Sequence, residues 1–272
     1  MSYQPALRKA LGQHHLTRGE VCAPLVEFLA PSGQEVWEIG PGSGVLTREL
    51  LAAGAARVVG YELDLDWAFS LRGGLRDPRL RIVSGDALYL RWERLPKGTE
   101  VAGNLPYNVA TAIIDRVLDA HRSVPRAGFL VQLEVARRLV AQPGDPDYGA
   151  ASVLVRARAE ARILGRVRPG AFRPPPKVDS AFVGFLLRPP IVEGNAMREL
   201  RSTVRAAFGL RRKTLRNSLA GSWGVEAADA ALVKLGWGPK TRAEGLALED
   251  FMALSDVRRA IPGIAPEPPA FP

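Results

Sequence analysis

The sequence predicts a doubly wound α/β domain, with a mostly parallel sheet covered by helices on both faces, followed by a small all-helical domain. Three observations carry this expectation. Between about residues 21 and 134, short apolar runs of strand length alternate with helix-length amphipathic segments, the pattern of consecutive βαβ units. The stretch "RPPIVEG" (188–194) interrupts the alternation with two prolines and a glycine. Beyond it the patterned segments have helical period. The expected divisions are 1–190 for the α/β domain, 191–262 for the helical domain and 263–272 for a proline-rich tail.

In order, "VCAPLVEFLA" reads as a helix, "EVWEIG" as the first buried strand and "VLTRELLAAG" as the helix after it. "ARVVGYE", "LRIVSGD", "EVAGN" and "GFLVQ" are the following strands, with "AIIDRVLDA" a helix between the last two. "SVLVRARAEARIL" (152–164) and "SAFVGFLLR" (180–188) are expected as further strands that close the sheet as a hairpin-like pair. After the break, "MRELRSTVRAAFGL", "RKTLRNSLAG", "EAADAALVKLG" and "ALEDFMALSDVRRAI" are amphipathic helices, and "PKTRAEGL" is a loop before the last of them. Five prolines among the final eleven residues predict an extended or disordered tail.

Composition narrows the function classes. A chain of 272 residues with 47% hydrophobic content is a packed globular protein. Its 37 Lys and Arg against 28 Asp and Glu give a formal charge of +9, which points to a polyanionic partner, nucleic acid before anionic membrane. The single Cys22 excludes an intramolecular disulfide and a cysteine-based zinc cluster, consistent with a reducing, cytoplasmic setting. The start "MSYQPALRKALGQ" has no apolar core of a signal peptide, and no run of about 18 apolar residues follows. Neither secretion nor a membrane span is expected.

The chemistry-bearing residues fall at strand ends. Gly40, Gly42 and Gly44 lie between a strand and a helix, where missing side chains let a ligand approach the backbone. Gly44 comes two positions after Gly42 rather than three, so the loop departs from the dinucleotide fingerprint. Glu62 ends the second strand, 22 positions beyond Gly40; a carboxylate there accepts hydrogen bonds from ribose hydroxyls and repels a phosphate on that sugar. Asp86, after the third strand, is placed to accept from an adenine amino group. Either acid alone is more often a solvated strand-end charge, but the three features in register converge on one crevice beyond the carboxyl ends of the strands. "NLPYNVAT" then sets Asn104, Pro106 and Tyr107 at the end of the fourth strand.

"GQHHL", "EIGPGSG", "YELD", "GDA", "NLPYNVAT", "VQLEVARRL", "FRPPPKVDS" and "FGLRRKTLRNSL", in this order and spacing, resemble the ribosomal RNA adenine N6-dimethyltransferase family over about residues 7 to 250. The resemblance implies a Rossmann-like class I methyltransferase sheet with a helical C-terminal domain, S-adenosylmethionine as cofactor, and N6-dimethylation of two adjacent adenosines near the 3′ end of small-subunit (16S) ribosomal RNA. It implies cofactor contacts from Gln13, His14, Leu16, Glu38, Leu63, Ala87 and Asn104 beside the glycines, Glu62 and Asp86. For catalysis it points to Asn104 and the Leu105 or Pro106 carbonyl as acceptors for the adenine amino group, which would turn the nitrogen lone pair toward the methyl. Tyr107 and Phe172 would sandwich the base, which must be extruded or already unpaired. The family commonly has Asn then Phe after Gln, where this chain has His14 and His15. Adjacent histidines invite a metal reading, but with three His and one Cys in the chain no metal site is expected.

Arg211, Arg212, Lys213 and Arg216 are expected on a helix, where they either form a solvated face or track RNA phosphates; the resemblance favours docking on RNA. Three rivals share parts of this pattern: a resistance-type methyltransferase of large-subunit RNA, a DNA adenine methyltransferase, and a ribosome-assembly factor making little product. Leu105 in "NLPY" leans toward the small-subunit group, and no added DNA-recognition domain is evident. A monomer on the small ribosomal subunit, without DNA or membrane partners, is the expectation.

Overall fold

The computed structural model describes residues 5, 13–210 and 213–261. Its chain forms two compact units, one of Met1–Arg137 with Arg158–Pro189, the other of Arg138–Ala157 with Pro190–Pro272. This differs from the expected division at residue 190, because segment 138–157 belongs with the C-terminal helices.

In the first unit, β2 (Glu35–Ile39) is flanked by β3 (Arg57–Glu62), which pairs with β4 (Leu80–Ser84), and on its other side by β5 (Glu100–Asn104), which pairs with β6 (Arg126–Gln132). All these pairs are parallel. The strand order is β4-β3-β2-β5-β6-β9-β7, with β9 (Ser180–Leu187) antiparallel to both β6 and β7 (Ala159–Val167). Because the chain passes from β2 outward through β4 and then returns to the other side of β2, the order reverses between β2 and β5. The C-terminal ends of those strands open a crevice there. Helix α1 (Ala23–Leu29) precedes β2, helices α2 (Val45–Ala52), α3 (Leu65–Gly74) and α4 (Ala110–Leu118) connect parallel strands, and α5 (Leu133–Val140) follows β6.

The central strands β5, β6 and β9 are buried almost throughout because both faces of the sheet are covered there. Val36, Ala102, Leu130 and Phe182 are all fully buried in a core shared with Leu25, Leu29 and Leu50. Arg158 is an exception of another kind, an arginine only 2% exposed. Its guanidinium donates to the Asp115 carbonyl (3.0 Å), to Asp119 (2.9 Å) and to the Asp115 carboxylate (2.6 Å), so its charge is buried against the C-terminal turn of α4 with partners. A separate short ribbon pairs β1 (His15–Leu16) antiparallel with β8 (Phe172–Arg173), His15 opposite Arg173 and Leu16 opposite Phe172.

The strand expected over 152–164 is corrected. Its first part is α6 (Ala150–Arg156), and the strand starts only at Ala159. Gly149 begins the helix in extended conformation, its N–H donates to Ser152 Oγ (3.1 Å), and Ser152 Oγ donates to the Arg138 carbonyl (2.6 Å). The run Val153–Leu154–Val155 is buried as helix rather than as pleat. The hairpin-like pairing of β7 with β9 is present.

The second unit is helical: α6, α7 (Gly194–Ala207), α8 (Leu215–Trp223), α9 (Val225–Leu235) and α10 (Leu248–Arg259). Val153, Leu200, Val204, Leu215, Leu219, Phe251 and Leu254 meet in its core. Tyr148 donates its hydroxyl to the Leu246 carbonyl (2.9 Å), and Arg258, 5% exposed, pairs with Glu199 across α10 and α7 at 2.5 Å.

Candidate active site

A cavity opens at the crevice beyond β2 and β5, and most of the residues singled out above reach it. Gln13 and His14 come from the segment leading into β1 and Leu16 from β1 itself; Glu38, Gly40 and Gly42 from the end of β2 and its loop; Glu62 and Leu63 from the end of β3; Asn104, Leu105, Pro106 and Tyr107 from the end of β5. Gly44, Asp86, Ala87 and Phe172 do not line it. Gly44 is the residue from which α2 begins. Asp86 caps a short 3-10 turn by accepting from Leu88 N–H (2.8 Å), and Ala87 is buried beneath it. Phe172 is 4% exposed and packs in the core among residues such as Leu16 and Leu25, held there by the β1–β8 pairing. The sequence motif does not disclose that its ring points inward.

The glycine loop is shaped from two directions. All three glycines have positive φ, and a Cβ on Gly42 would lie 2.4 Å from the His15 ring. His15 Nδ1 accepts the Ser43 N–H (3.1 Å), and its ring tilts against Trp67 with centroids 4.3 Å apart. Burial drives the His15 pKa down to about 4, with Asp64 opposing and His14 reinforcing that shift. A neutral imidazole therefore props the loop in the position where the family commonly has Phe. From below, Glu62 accepts N–H bonds from Gly42 (3.0 Å) and Asp64 (2.9 Å) while only 6% exposed. Desolvation raises its pKa, and the two backbone donors oppose the rise. Glu38, 1% exposed, is pushed up to about 7 by desolvation and by the Glu62 charge, against the Thr47 hydroxyl that donates to it at 2.6 Å.

At the β5 end, Asn104 Nδ2 donates to the His14 carbonyl (2.7 Å). Because that bond uses the amide nitrogen, Oδ1 is left as the acceptor. Leu105 N–H is tied to the Leu130 carbonyl (3.2 Å) of β6, and the Pro106 carbonyl accepts Val109 N–H (3.2 Å). Tyr107 shares a 2.8 Å hydrogen bond with Ser180 Oγ. Desolvation raises its pKa, so the phenol is neutral and its ring is anchored at the far edge.

Two contributors escaped the sequence reading. Ser180, the last residue of "KVDS", fixes Tyr107, and the only available signal was its place in the motif. Gly103 precedes Asn104, and a Cβ there would meet the Ile39 carbonyl oxygen at 2.6 Å, a backbone atom of the neighbouring strand. That Gly allows β5 to lie close to β2 at the site. The third histidine, expected on a helix, lies at His121 in the turn after α4. Among the described residues no group of three or more His, Cys, Asp or Glu is gathered for a metal ion.

In the second unit, the basic segment reads differently from its expectation. Arg211 and Arg212 lie outside the described residues. Lys213 is exposed and precedes α8, whose N-cap is Thr214, so it is not on the helix. Arg216 is on the helix, but its guanidinium is engaged by Asp229 through two hydrogen bonds, Nε at 2.5 Å and an Nη at 2.8 Å.

An open α/β sheet with a glycine loop after its first parallel strand, a buried acid at the end of the next and an Asn-Leu-Pro-Tyr segment at the fourth defines a class I S-adenosylmethionine-dependent methyltransferase. The donor set fits that cofactor. Glu62 lines the cavity with a carboxylate of the kind that accepts from ribose hydroxyls, and Gly42 places no side chain between the loop backbone and the His15 ring. Comparison with known proteins makes the assignment specific: the family model described as ribosomal RNA adenine dimethylase matches residues 5–259. The chain belongs to that family. It is 41% identical over 267 residues to the ribosomal RNA small subunit methyltransferase A of Anaeromyxobacter dehalogenans, covering 93% of each chain. To the protein of the same name from Xanthomonas axonopodis it is 40% identical, covering 95% of this chain and 99% of the relative. Among solved structures, the 23S rRNA methyltransferase ErmE superposes with a TM-score of 0.66 at 31% identity, covering 89% of this chain and 98% of that one. A dimethyladenosine transferase from Plasmodium falciparum gives 0.69 at 24% identity, covering 89% and 96%, and supports the fold.

Proposed function

We propose that this enzyme dimethylates N6 of two adjacent adenosines near the 3′ end of small-subunit (16S) ribosomal RNA during subunit maturation. The observation that carries the reading is the orientation of Asn104: with Nδ2 held by the His14 carbonyl, Oδ1 is the group that accepts from an adenine amine. The amine is a poor nucleophile because its lone pair is delocalised into the ring. Two acceptors on its N–H bonds let the nitrogen pyramidalise. The Pro106 carbonyl already accepts from Val109, so the Leu105 carbonyl is assigned as the second acceptor. Tyr107, anchored through Ser180, supplies the flat surface on which the base rests. S-adenosylmethionine supplies a methyl already activated on a sulfonium, so no ionised general base is required to begin the transfer. The proton left on nitrogen after attack passes to water once the product amine disengages.

The choice of small-subunit RNA over large-subunit RNA rests on relatives named for the small subunit at about 40% identity over nearly their whole length, against 31% for the 23S enzyme. RNA docking by Arg211, Arg212 and Lys213, a monomeric state and a cytoplasmic setting are parts of the same proposal. Among the described residues no helix is long and apolar enough to cross a membrane. The test is incubation with labelled S-adenosylmethionine and small subunits lacking adenine dimethylation, in parallel with large-subunit RNA, followed by mass-spectrometric mapping. Dimethyladenosine confined to the small subunit is expected; label only in large-subunit RNA would reject the assignment, and tight small-subunit binding without label would favour an assembly factor. Asn104→Ala should abolish methylation and leave RNA binding intact.

A further inference from the structure

The β1–β8 ribbon has two faces. Leu16 and Phe172, opposite each other, are buried in the core, whereas the neighbouring pair, His15 and Arg173, shares the other face. There lies a second cavity, of about 520 Å³. His15 and Arg173 line it from the ribbon, Ser43 and Arg48 from the glycine loop and the opening turn of α2, and the buried Trp67 from α3. His15, Ser43 and Val45 line both this cavity and the crevice beyond β2 and β5, so the layer held by the Ser43 N–H bond to His15 stands between the two.

The formal charges in this cavity have one sign. No carboxylate lines it. Arg48 and Arg173 are both exposed, and neither makes an ion pair among the described residues. Arg48 donates one N–H to the Ser43 carbonyl (3.1 Å), which ties its guanidinium to the loop and leaves its other donors for a ligand. Arg166 and Arg216 differ, because Asp179 and Asp229 answer their charges within the protein. Two guanidiniums lining one space without an acid disfavour each other, and an anion bound there turns that repulsion into attraction.

We propose that Arg48 and Arg173 form a phosphate-binding site, occupied by a backbone phosphate of the RNA strand whose adenine enters the adjoining crevice. For the source of the phosphate this inference rests on the RNA-methylation reading. Guanidinium groups bind phosphate oxygens through paired N–H donors, and the half-buried Ser43 lines the same cavity with a hydroxyl that can add another. Such a contact reads no base. It fixes the register of the strand, so the nucleotide delivered to Asn104 is set by its distance along the backbone from the clamped phosphate. The site belongs to the unit that carries the glycine loop, whereas Arg211, Arg212 and Lys213 belong to the helical unit.

The test measures the affinity of the full chain for undimethylated small subunits at a series of salt concentrations. Wild type is compared with Arg48→Gln, Arg173→Gln and Arg173→Lys, each checked for an unchanged melting temperature. Arg81→Gln, at an exposed arginine of β4 outside the cavity, removes the same charge elsewhere. Loss of one phosphate contact flattens the plot of log affinity against log salt by about 0.7 to 1. Both cavity Gln variants are expected to show that flattening and to bind about tenfold more weakly, the scale of a lost hydrogen bond to a charged group. Arg173→Lys should recover the slope and Arg81→Gln should keep it. Calorimetric affinity for S-adenosylhomocysteine should be the same in all variants, which separates this site from the cofactor's. Unchanged slopes in the two cavity Gln variants, or equal flattening in Arg81→Gln, would overturn the proposal. Calorimetric titration with inorganic phosphate, without RNA, covers the other source: tight binding that Arg173→Gln abolishes, with the RNA slope unchanged, would reject the RNA strand in favour of a small anion. Labelled-methyl transfer by the wild type keeps the two readings apart. Product formation with unchanged slopes rejects this site alone, whereas a wild type that neither binds nor methylates small subunits rejects both.

Discussion

Gly103 occupies the one β5 position where a single methyl group would have no room to be absorbed. Its Cβ would meet a carbonyl oxygen of β2, not the flexible end of a side chain. Gly103→Ala should therefore push the end of β5 away from β2 and displace Asn104 with it. The expected outcome is a fall in kcat of at least tenfold, with RNA affinity unchanged, since displacements of about 1 Å at a reacting centre cost on the order of a hundredfold. Steady-state kinetics beside a binding assay check it. Glu38 makes a different prediction. Its folded pKa, about 7, lies above its unfolded value of 4.5, so between those pH values the folded state holds a proton that the unfolded state has lost. Stability conferred in acid is thus lost as pH rises through that window, by up to about 1.4 kcal/mol per pH unit from this one group. In Glu38→Gln, without cofactor, this part of the slope should vanish in urea titrations at a series of pH values. His15 has the opposite sign, its stability being lost as pH falls from 6.5 toward about 4, so the two partly cancel in acid and the variant should expose the His15 slope.

At the level of elements, the ion pair of Glu199 and Arg258 links α7 to α10 with the guanidinium nearly out of water. Removing the acid alone leaves that charge without its carboxylate partner, so Glu199→Ala should cost about 3 kcal/mol or more and Glu199→Gln less. Chemical denaturation followed by helical circular dichroism measures it; a loss below 1 kcal/mol, about the scale of a surface pair, would show that the pair is solvated. The elements also show what the sequence disclosed. The parallel strands were legible because each is a short apolar run bounded by turn residues, and their carboxyl ends locate Glu62 and Asn104 without further information. The helix at Ala150–Arg156 was not, because a fully buried run of Val and Leu has the same composition in a helix as in a strand. The burial of Phe172 was not legible for a related reason: a motif conveys which residue is present, whereas the two-residue ribbon with Leu16 decides where its ring goes. The engagement of Arg216 by Asp229 was not legible, because that partner lies 13 positions away on the next helix, beyond any local pattern.

For the whole molecule, a formal charge of +9 implies association with RNA driven largely by counterion release. Binding to small subunits should weaken steeply between about 50 and 200 mM salt, and affinity that is flat over this range would argue against a phosphate-tracking interface. The connectivity of the two units carries a separate consequence for chimaeric proteins. The chain passes between them at 137/138, 157/158 and 189/190, and Val153 and Leu154 complete the core built by the last four helices. A recombinant exchange at residue 190 alone would pair a foreign set of C-terminal helices with a native α6. Exchange of the helical unit between relatives is expected to preserve a folded enzyme only when residues 138–157 travel with it, which makes this module an inherited pair of segments and not a detachable tail.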